Sequence, residues 1–190
     1  FHIDLGHVGI FKALAKSAQL DEAQEAFLFD ALQRKAKPEI EIFLSEISID
    51  DKYRKMIISL VDLNGGEDVF DEARSSLKQG PKEVHEALDR LQSLASATQS
   101  RLTDMNLHYD LAELRGYGYQ NGVVFAAFMP GYGQEIARGG RYDGIGKAFG
   151  RSRPATGFSS DLTTLMALNT VKQEKVDAIA APHVDDKSLA

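Results

Sequence analysis

Helical periodicity that continues from residue 22 to residue 99, between segments with β character, limits the possible folds more than any other feature. Asp21 with Gln24 predicts a helix start, Pro38 suits a first turn, and Gly80 before Pro81 separates two helices. We therefore predict a helical block over residues 21–103 that interrupts a sheet. The apolar residues of this stretch recur three and four positions apart: Phe27, Leu28, Ala31 and Leu32, then Ile40, Phe43, Leu44 and Ile47, then Met56, Ile57 and Leu60.

The segments on either side of this block favour strands. Residues 1–8 predict a strand that leads into a helix ending near Ala18, and residues 106–110 predict a short strand. The apolar run 123–129, the turn 130–133 and residues 134–138 predict an antiparallel hairpin. Asn121 and Gly122 fit either a second tight turn or a bulge within a strand. The predicted fold class is α+β.

Composition excludes several classes of function. The 190 residues contain no cysteine, which excludes disulfides and thiolate metal sites, and the histidines have no metal-binding spacing. A net charge of −6 argues against a broad nucleic-acid surface. No signal peptide and no membrane-spanning apolar run is present, so we expect a cytoplasmic protein. Phe1 at the start, and a strand-like run at 176–182 close to the end, predict that the chain is cut from a longer protein.

The most specific motif is residues 139–144, which read GGRYDG. Paired glycines let the backbone approach a ligand or a strand, and Arg141 adds a fixed cation. Taken alone, the segment is equally a glycine-rich turn with an ion pair between Arg141 and Asp143. Together with residues 114–125, LRGYGYQNGVVF, it resembles the C-terminal half of the catalytic domain of histidyl-tRNA synthetases. The resemblance implies a partial class II aminoacyl-tRNA synthetase-like antiparallel sheet.

The resemblance also implies a histidine pocket. In those synthetases an Arg-Gly-Leu-Asp-Tyr-Tyr stretch lines the pocket, and here the aspartate is replaced by Gly118 and the second tyrosine by Gln120. A guanidinium fits a carboxylate, and aromatic rings fit an imidazole. His108, Asp110 and Glu113 precede the arginine and either support it or form an ion pair at a strand end. The implied histidine-binding residues are Arg115, Tyr119, Gln120, Arg141 and Tyr142.

Two departures argue against adenylate chemistry. The synthetases end their third motif with an arginine that binds ATP phosphates, and Thr164 stands in its place. A neutral hydroxyl cannot supply that cation, so the rate would fall by orders of magnitude. Asp161 replaces a glycine and adds negative charge nearby. We predict no catalytic residues and no cofactor.

A basic run extends from Arg138 through Arg141 and Lys147 to Arg151 and Arg153. It is either a solvated loop or a surface for an anion or a protein partner. Residues 149–154, FGRSRP, resemble a sequence in the regulatory subunits of ATP phosphoribosyltransferase, which are non-aminoacylating paralogues of the synthetases. We therefore assign Arg151 and Arg153 to a partner or anion surface.

This second resemblance implies a non-catalytic subunit that acts in the first step of histidine biosynthesis. Such a subunit activates a separate catalytic subunit of short-form ATP phosphoribosyltransferase, mediates feedback inhibition by L-histidine, and forms a hetero-oligomer around a homo-oligomeric core; neither tRNA nor a membrane is expected as a partner. The predicted domains are a core start over 1–20, the helical block over 21–103, the pocket-bearing core over 104–170 and a further element from 171 to 190. Two alternatives are a fragment of a histidyl-tRNA synthetase and a structural protein with an inactive pocket.

Overall fold

The computed structural model describes residues 1–144, 146 and 150–169. The strands are β1 (His2–His7), β2 (Asn64–Gly65), β3 (Asn106–Asp110), β4 (Val123–Phe128), β5 (Glu135–Arg141) and β6 (Thr156–Ser160). The helices are α1 (Val8–Ser17), α2 (Glu22–Gln33), α3 (Lys37–Glu46), α4 (Asp51–Ser59), α5 (Val69–Ser76), α6 (Lys82–Gln99) and α7 (Leu162–Leu168). The predicted run at 176–182, the further element over 171–190, Lys147 and Phe149 lie outside the described residues.

The strands form one sheet in the order β2-β3-β1-β4-β5-β6. The α+β prediction is confirmed, and the sheet is mixed rather than wholly antiparallel because β1 runs parallel to β3. A parallel pair needs a long crossover, and the helical segment between the two strands provides it. The predicted hairpin is confirmed as β4 and β5, which pair Val124 with Gly140 and Phe125 with Gly139.

The helices begin where the sequence signals place them. Asp21 and Gln24 form a capping box at the start of α2, with the Asp21 carboxylate accepting from the Gln24 N–H at 2.8 Å. Pro38 occupies the first turn of α3, and Pro81 immediately precedes α6. These local signals fix the ends of the helices that separate β1 from β3.

The core lies between the sheet and the helices. Helix α6 packs on both α1 and β1, so the chain that leaves the sheet through α1 returns to it after α6. Burial of these apolar faces provides the main stabilisation of the fold. The buried side chains of these two helices are Val8, Ile10, Phe11, Leu14, Ala15, Val84, Ala87, Leu88, Leu91 and Ala95.

His7 is a buried titratable side chain in this core. The side chain is buried, and its Nδ1 accepts a hydrogen bond from the Gly9 N–H at 3.1 Å at the start of α1. Burial, aided by the charge of Arg90, lowers the pKa of His7 from the ordinary value of 6.5 to about 4. Protonation would remove the acceptor that caps the helix.

We expect the protein to lose stability as the pH falls from about 6.5 to about 4, because the unfolded chain binds a proton at His7 before the folded chain does. The contribution of neutral His7 to stability is complete above the pKa of the unfolded chain. Its loss at low pH lowers the free energy of unfolding by roughly 3 kcal/mol at most. Urea unfolding at a series of pH values measures it. His7→Asn keeps a capping oxygen and should flatten this part of the curve; an unchanged slope would assign the pH dependence to other groups.

Candidate functional site

The loop between β3 and β4 carries three of the implied pocket residues. Buried Leu111, Ala112 and Leu114 anchor it to the core. Gly116 has φ of +71°, and its carbonyl accepts from the N–H groups of Tyr119 at 3.0 Å and Gln120 at 2.7 Å. A residue with a side chain would be strained at this φ, so a glycine suits the turn that reverses the chain. The turn presents Arg115, Tyr119 and Gln120 towards β5.

A cavity of about 430 Å³ lies between this loop and strands β5 and β6. The structure brings together four of the five implied histidine-binding residues, namely Arg115, Tyr119, Gln120 and Tyr142. Its volume suits a small ligand of the size of an amino acid. The full lining is Arg115, Gly116, Tyr119, Gln120, Phe125, Arg138, Gly139, Tyr142, Gly157, Phe158 and Ser159.

Arg141 is not part of this lining. Its Nε donates to both carboxylate oxygens of Asp143 at 3.0 Å, and its stem lies so close to Gly122 that a Cβ there would be 3.0 Å away. The guanidinium also lowers the pKa of Asp143. Arg141 therefore supports the end of β5, which is the role that the simple turn interpretation of the GGRYDG motif gives it.

One end of the cavity is ionic. The Arg115 guanidinium pairs with Glu135, and its Nε lies 3.3 Å from a carboxylate oxygen of Glu113. Arg138 donates to the other oxygen of Glu135 at 2.9 Å. Burial raises the pKa of Glu113, and the carboxylate is held by the Arg115 N–H at 2.9 Å. The two arginines are thus balanced by two carboxylates.

The other end of the cavity is aromatic. The rings of Tyr119 and Tyr142 lie 6.2 Å apart at 55°. Between this end and the sheet lies Gln120, which is only 4% exposed and whose Oε1 has no hydrogen-bond partner among the described residues. A Cβ on Gly140 would lie 2.5 Å from that oxygen, so the glycine leaves room for the amide. Buried polar atoms are nearly always paired, so this oxygen lacks the partner that such atoms usually have.

Close strand packing explains two glycines of the lining. A Cβ on Gly139 would contact the Gly157 carbonyl and lie 2.7 Å from the Phe158 Cβ. A Cβ on Gly157 would collide with the Tyr142 hydroxyl. Tyr142 therefore occupies space that a side chain at position 157 would need.

The two departures in the third motif, Asp161 and Thr164, are not among the residues that line the cavity. Asp161 caps α7, with its carboxylate accepting from the Thr164 N–H at 2.9 Å. Thr164 lines a separate apolar cleft beside Tyr132 and Leu168. The structure thus gives Asp161 a capping role in addition to the charge inferred from the sequence.

The arginines of the basic run that the structure describes have different surroundings. Arg138 lines the cavity and Arg141 pairs with Asp143, whereas Arg151 and Arg153 are exposed on the segment that precedes β6. Among the residues of the run that the structure describes, Arg151 and Arg153 keep their assignment to a partner or anion surface, which stays a prediction.

Sequence reasoning missed Glu135 as a site residue, and it assigned Arg138 only to the basic run. Both are on β5, three positions apart; Glu135 contacts Arg115, which lies 20 positions earlier in the sequence, and Arg138 contacts Glu135. The sequence does contain one signal for this contact: Glu135 and Arg138 carry opposite charges on the predicted strand over residues 134–138, which leads into the GGRYDG motif. Of the three residues before Arg115 that were expected to support it or to form ion pairs, Glu113 contacts Arg115. Asp110 instead pairs with Lys35, and His108 lies 3.3 Å from Asp4.

Residues 1–144, 146 and 150–169 contain neither a metal-binding cluster nor a membrane-spanning helix. In this part of the chain, no three histidine, aspartate or glutamate side chains are grouped closely enough to hold a metal ion. Among the helices described there, none has both the length and the apolar character needed to cross a membrane.

Comparisons with known proteins agree with this architecture. The histidyl-tRNA synthetase family model matches residues 1–165. A protein of Alkalilimnicola ehrlichii named ATP phosphoribosyltransferase regulatory subunit is 55% identical over 165 residues, which are 87% of this chain and 41% of the relative. A protein of the same name from Methylococcus capsulatus is 51% identical over 191 residues, covering 99% of this chain and 47% of the relative. The chain thus spans less than half the length of these relatives.

A solved structure shares the fold. The protein from Bacillus halodurans described as an ATP phosphoribosyltransferase regulatory subunit/histidyl-tRNA synthetase superposes with a TM-score of 0.76 at 26% identity, over 88% of this chain and 44% of that one. The family model, the mixed sheet and the cavity at the GGRYDG motif lead to one conclusion. The chain belongs to the histidyl-tRNA synthetase family.

Proposed function

We propose that the protein is a non-catalytic regulatory subunit of ATP phosphoribosyltransferase, which binds L-histidine in the cavity between the β3–β4 loop and strands β5 and β6. It assembles with a separate catalytic subunit around a homo-oligomeric core, activates that subunit and mediates feedback inhibition by histidine. One observation carries the proposal: the cavity keeps Arg115, Tyr119 and Tyr142, while Thr164 replaces the phosphate-binding arginine outside it. The names of the relatives support the same role.

The charge balance of the cavity supports an amino acid as its ligand. Two arginines and two carboxylates leave no net charge at the ionic end, which suits a zwitterion better than a polyanion such as ATP. A guanidinium has five N–H donors, so Arg115 and Arg138 keep donors for the ligand carboxylate while each contacts Glu135.

The aromatic end supports imidazole as the side chain. Tyr119 and Tyr142 provide ring surfaces for an imidazole, and the polar side chain of Gln120 lies beside them. Ligand binding can regulate a partner only if the ligand prefers one state of the assembly, so histidine must bind more tightly to the inhibited state than to the active one.

Calorimetric titration of L-histidine into the full-length protein, with ATP turnover assayed in parallel, tests the proposal. We expect saturable binding, no adenylate formation, and a change in the activity of an added catalytic subunit. L-histidinol lacks the carboxylate and L-phenylalanine lacks the imidazole N–H, so both should bind much more weakly. Adenylate formation would instead favour the alternative, a histidyl-tRNA synthetase, and absence of histidine binding would leave a structural protein with an inactive pocket.

A further inference from the structure

Helix α2 contacts the segment from Asp110 to Gln120, which bears three of the implied histidine-binding residues, namely Arg115, Tyr119 and Gln120. At the start of this segment, the Lys35 ammonium just after α2 contacts Asp110 at 2.6 Å. The Gln33 amide then donates to the Ala112 carbonyl at 3.1 Å. Further along, the Tyr117 hydroxyl donates to Glu25 of the same helix. The contacts follow the segment from Asp110 to Tyr117, so its position depends on the packing of one helix of the helical block.

Lys12 of α1 fastens the remaining part of the segment. Its ammonium donates to the carbonyls of Tyr117 and Gln120, both at 2.7 Å, and lies 4.5 Å from the centroid of the Tyr117 ring. Burial lowers the pKa of Lys12, although the nearby Glu25 opposes this effect. The two carbonyls bracket Tyr119, so the lysine fixes the backbone from which Tyr119 and Gln120 reach the cavity.

Tyr117 joins these two sets of contacts. Its ring packs against Phe11 of α1 and Phe29 of α2, its hydroxyl contacts Glu25, and its carbonyl accepts from Lys12. Burial and Glu25 raise the pKa of its hydroxyl, which therefore remains a donor. A displacement of α2 must move Tyr117, and with it the Lys12 contacts next to the cavity.

We propose that Lys12 and Tyr117 are positioning residues that couple histidine affinity to the packing of α2. This inference rests on the proposed function and adds to it a route by which the helical block senses ligand. Coupling of this kind is reciprocal. If the protein binds histidine more tightly when α2 contacts the segment, then bound histidine must strengthen those contacts by the same factor. A partner that engages the helical block would then change histidine affinity without touching the cavity.

Lys12→Met in the full-length protein should weaken histidine binding by at least about tenfold, measured by calorimetry. Lys12→Arg keeps donors for the two carbonyls and should restore most of the affinity. Lys16→Met, one turn further along α1 and exposed, is the matched control and should leave the affinity unchanged. Tyr117→Phe removes only the hydroxyl contact with Glu25 and should weaken binding by about fivefold.

Hydrogen exchange gives a second measurement. Lys12→Met should speed exchange at the amides of Tyr119 and Gln120 in the free protein, and histidine should slow exchange in α2 of the parent protein but not of Tyr117→Phe. If the parent binds histidine and Lys12→Met binds it equally well, the coupling is wrong while the proposed function stands. If the parent does not bind histidine, the proposed function fails first, and the coupling to histidine fails with it.

Discussion

Arg115→Met should weaken histidine binding to the full-length protein by about 100-fold or more, because a carboxylate in the cavity would lose its cationic partner. The same change should lower the free energy of unfolding by about 2 kcal/mol. Glu113 is 8% exposed, and without Arg115 its carboxylate would be left without a cation. Calorimetry and urea unfolding measure the two effects separately.

A second substitution separates affinity from stability. Arg115→Met with Glu113→Gln removes the unpaired carboxylate, so the double variant should recover most of the lost stability while histidine binding remains weak. In the single variant, the pKa of Glu113 should rise further, so the stability deficit should shrink as the pH falls and the carboxyl becomes neutral. Unchanged histidine affinity in both variants would exclude Arg115 from the binding site.

Gly139→Ala should detach β6 from β5 and remove the wall of the cavity. The new methyl group would lie 2.7 Å from the Phe158 Cβ and 2.8 Å from its Cα, and it would contact the Gly157 carbonyl, so only a backbone shift can accommodate it. We expect a loss of about 3 kcal/mol in the free energy of unfolding, together with loss of histidine binding. Urea unfolding and calorimetry test both effects.

Gly133→Ala is the matched control for this change. Gly133 lies in the turn that leads to β5, and no atom lies within 4 Å of the position a Cβ would take. The control should retain both the stability and the affinity of the parent protein. Hydrogen exchange of the β6 amides gives a further test. If Gly139→Ala protects these amides as well as the parent protein does, the predicted separation of the strands is wrong.

The parts of the fold that depend on residues close together in the sequence were predictable. The capping box at Asp21, the first turn at Pro38 and the β4–β5 hairpin each have a local signal, and all are confirmed. The parallel pairing of β1 with β3 was not predicted, because no local pattern specifies which distant strand becomes a neighbour. Strand β2 contains only Asn64 and Gly65, which are not β-formers, and it exists through its pairing with β3.

The same distinction applies to the candidate site. The resemblance to synthetases pointed to Arg115, Tyr119, Gln120 and Tyr142, which line one cavity, and their role as histidine ligands remains a proposal. Lys12 was not recognised, because its contacts with the loop connect residues 105 and 108 positions apart. A lysine on an amphipathic helix is normally expected to face solvent. Only the folded chain shows which carbonyls Lys12 binds.

The packing of α1 on α6 has a consequence for how rapidly the sheet assembles. His7 ends β1 and Asn106 begins β3, so direct closure of the loop between them would cost considerable chain entropy. Helices α1 and α6 adjoin these strands, and their contact in the folded chain holds the end of β1 near the start of β3. We therefore expect early association of the two helices to shorten the search between β1 and β3, so that their parallel pairing costs less chain entropy.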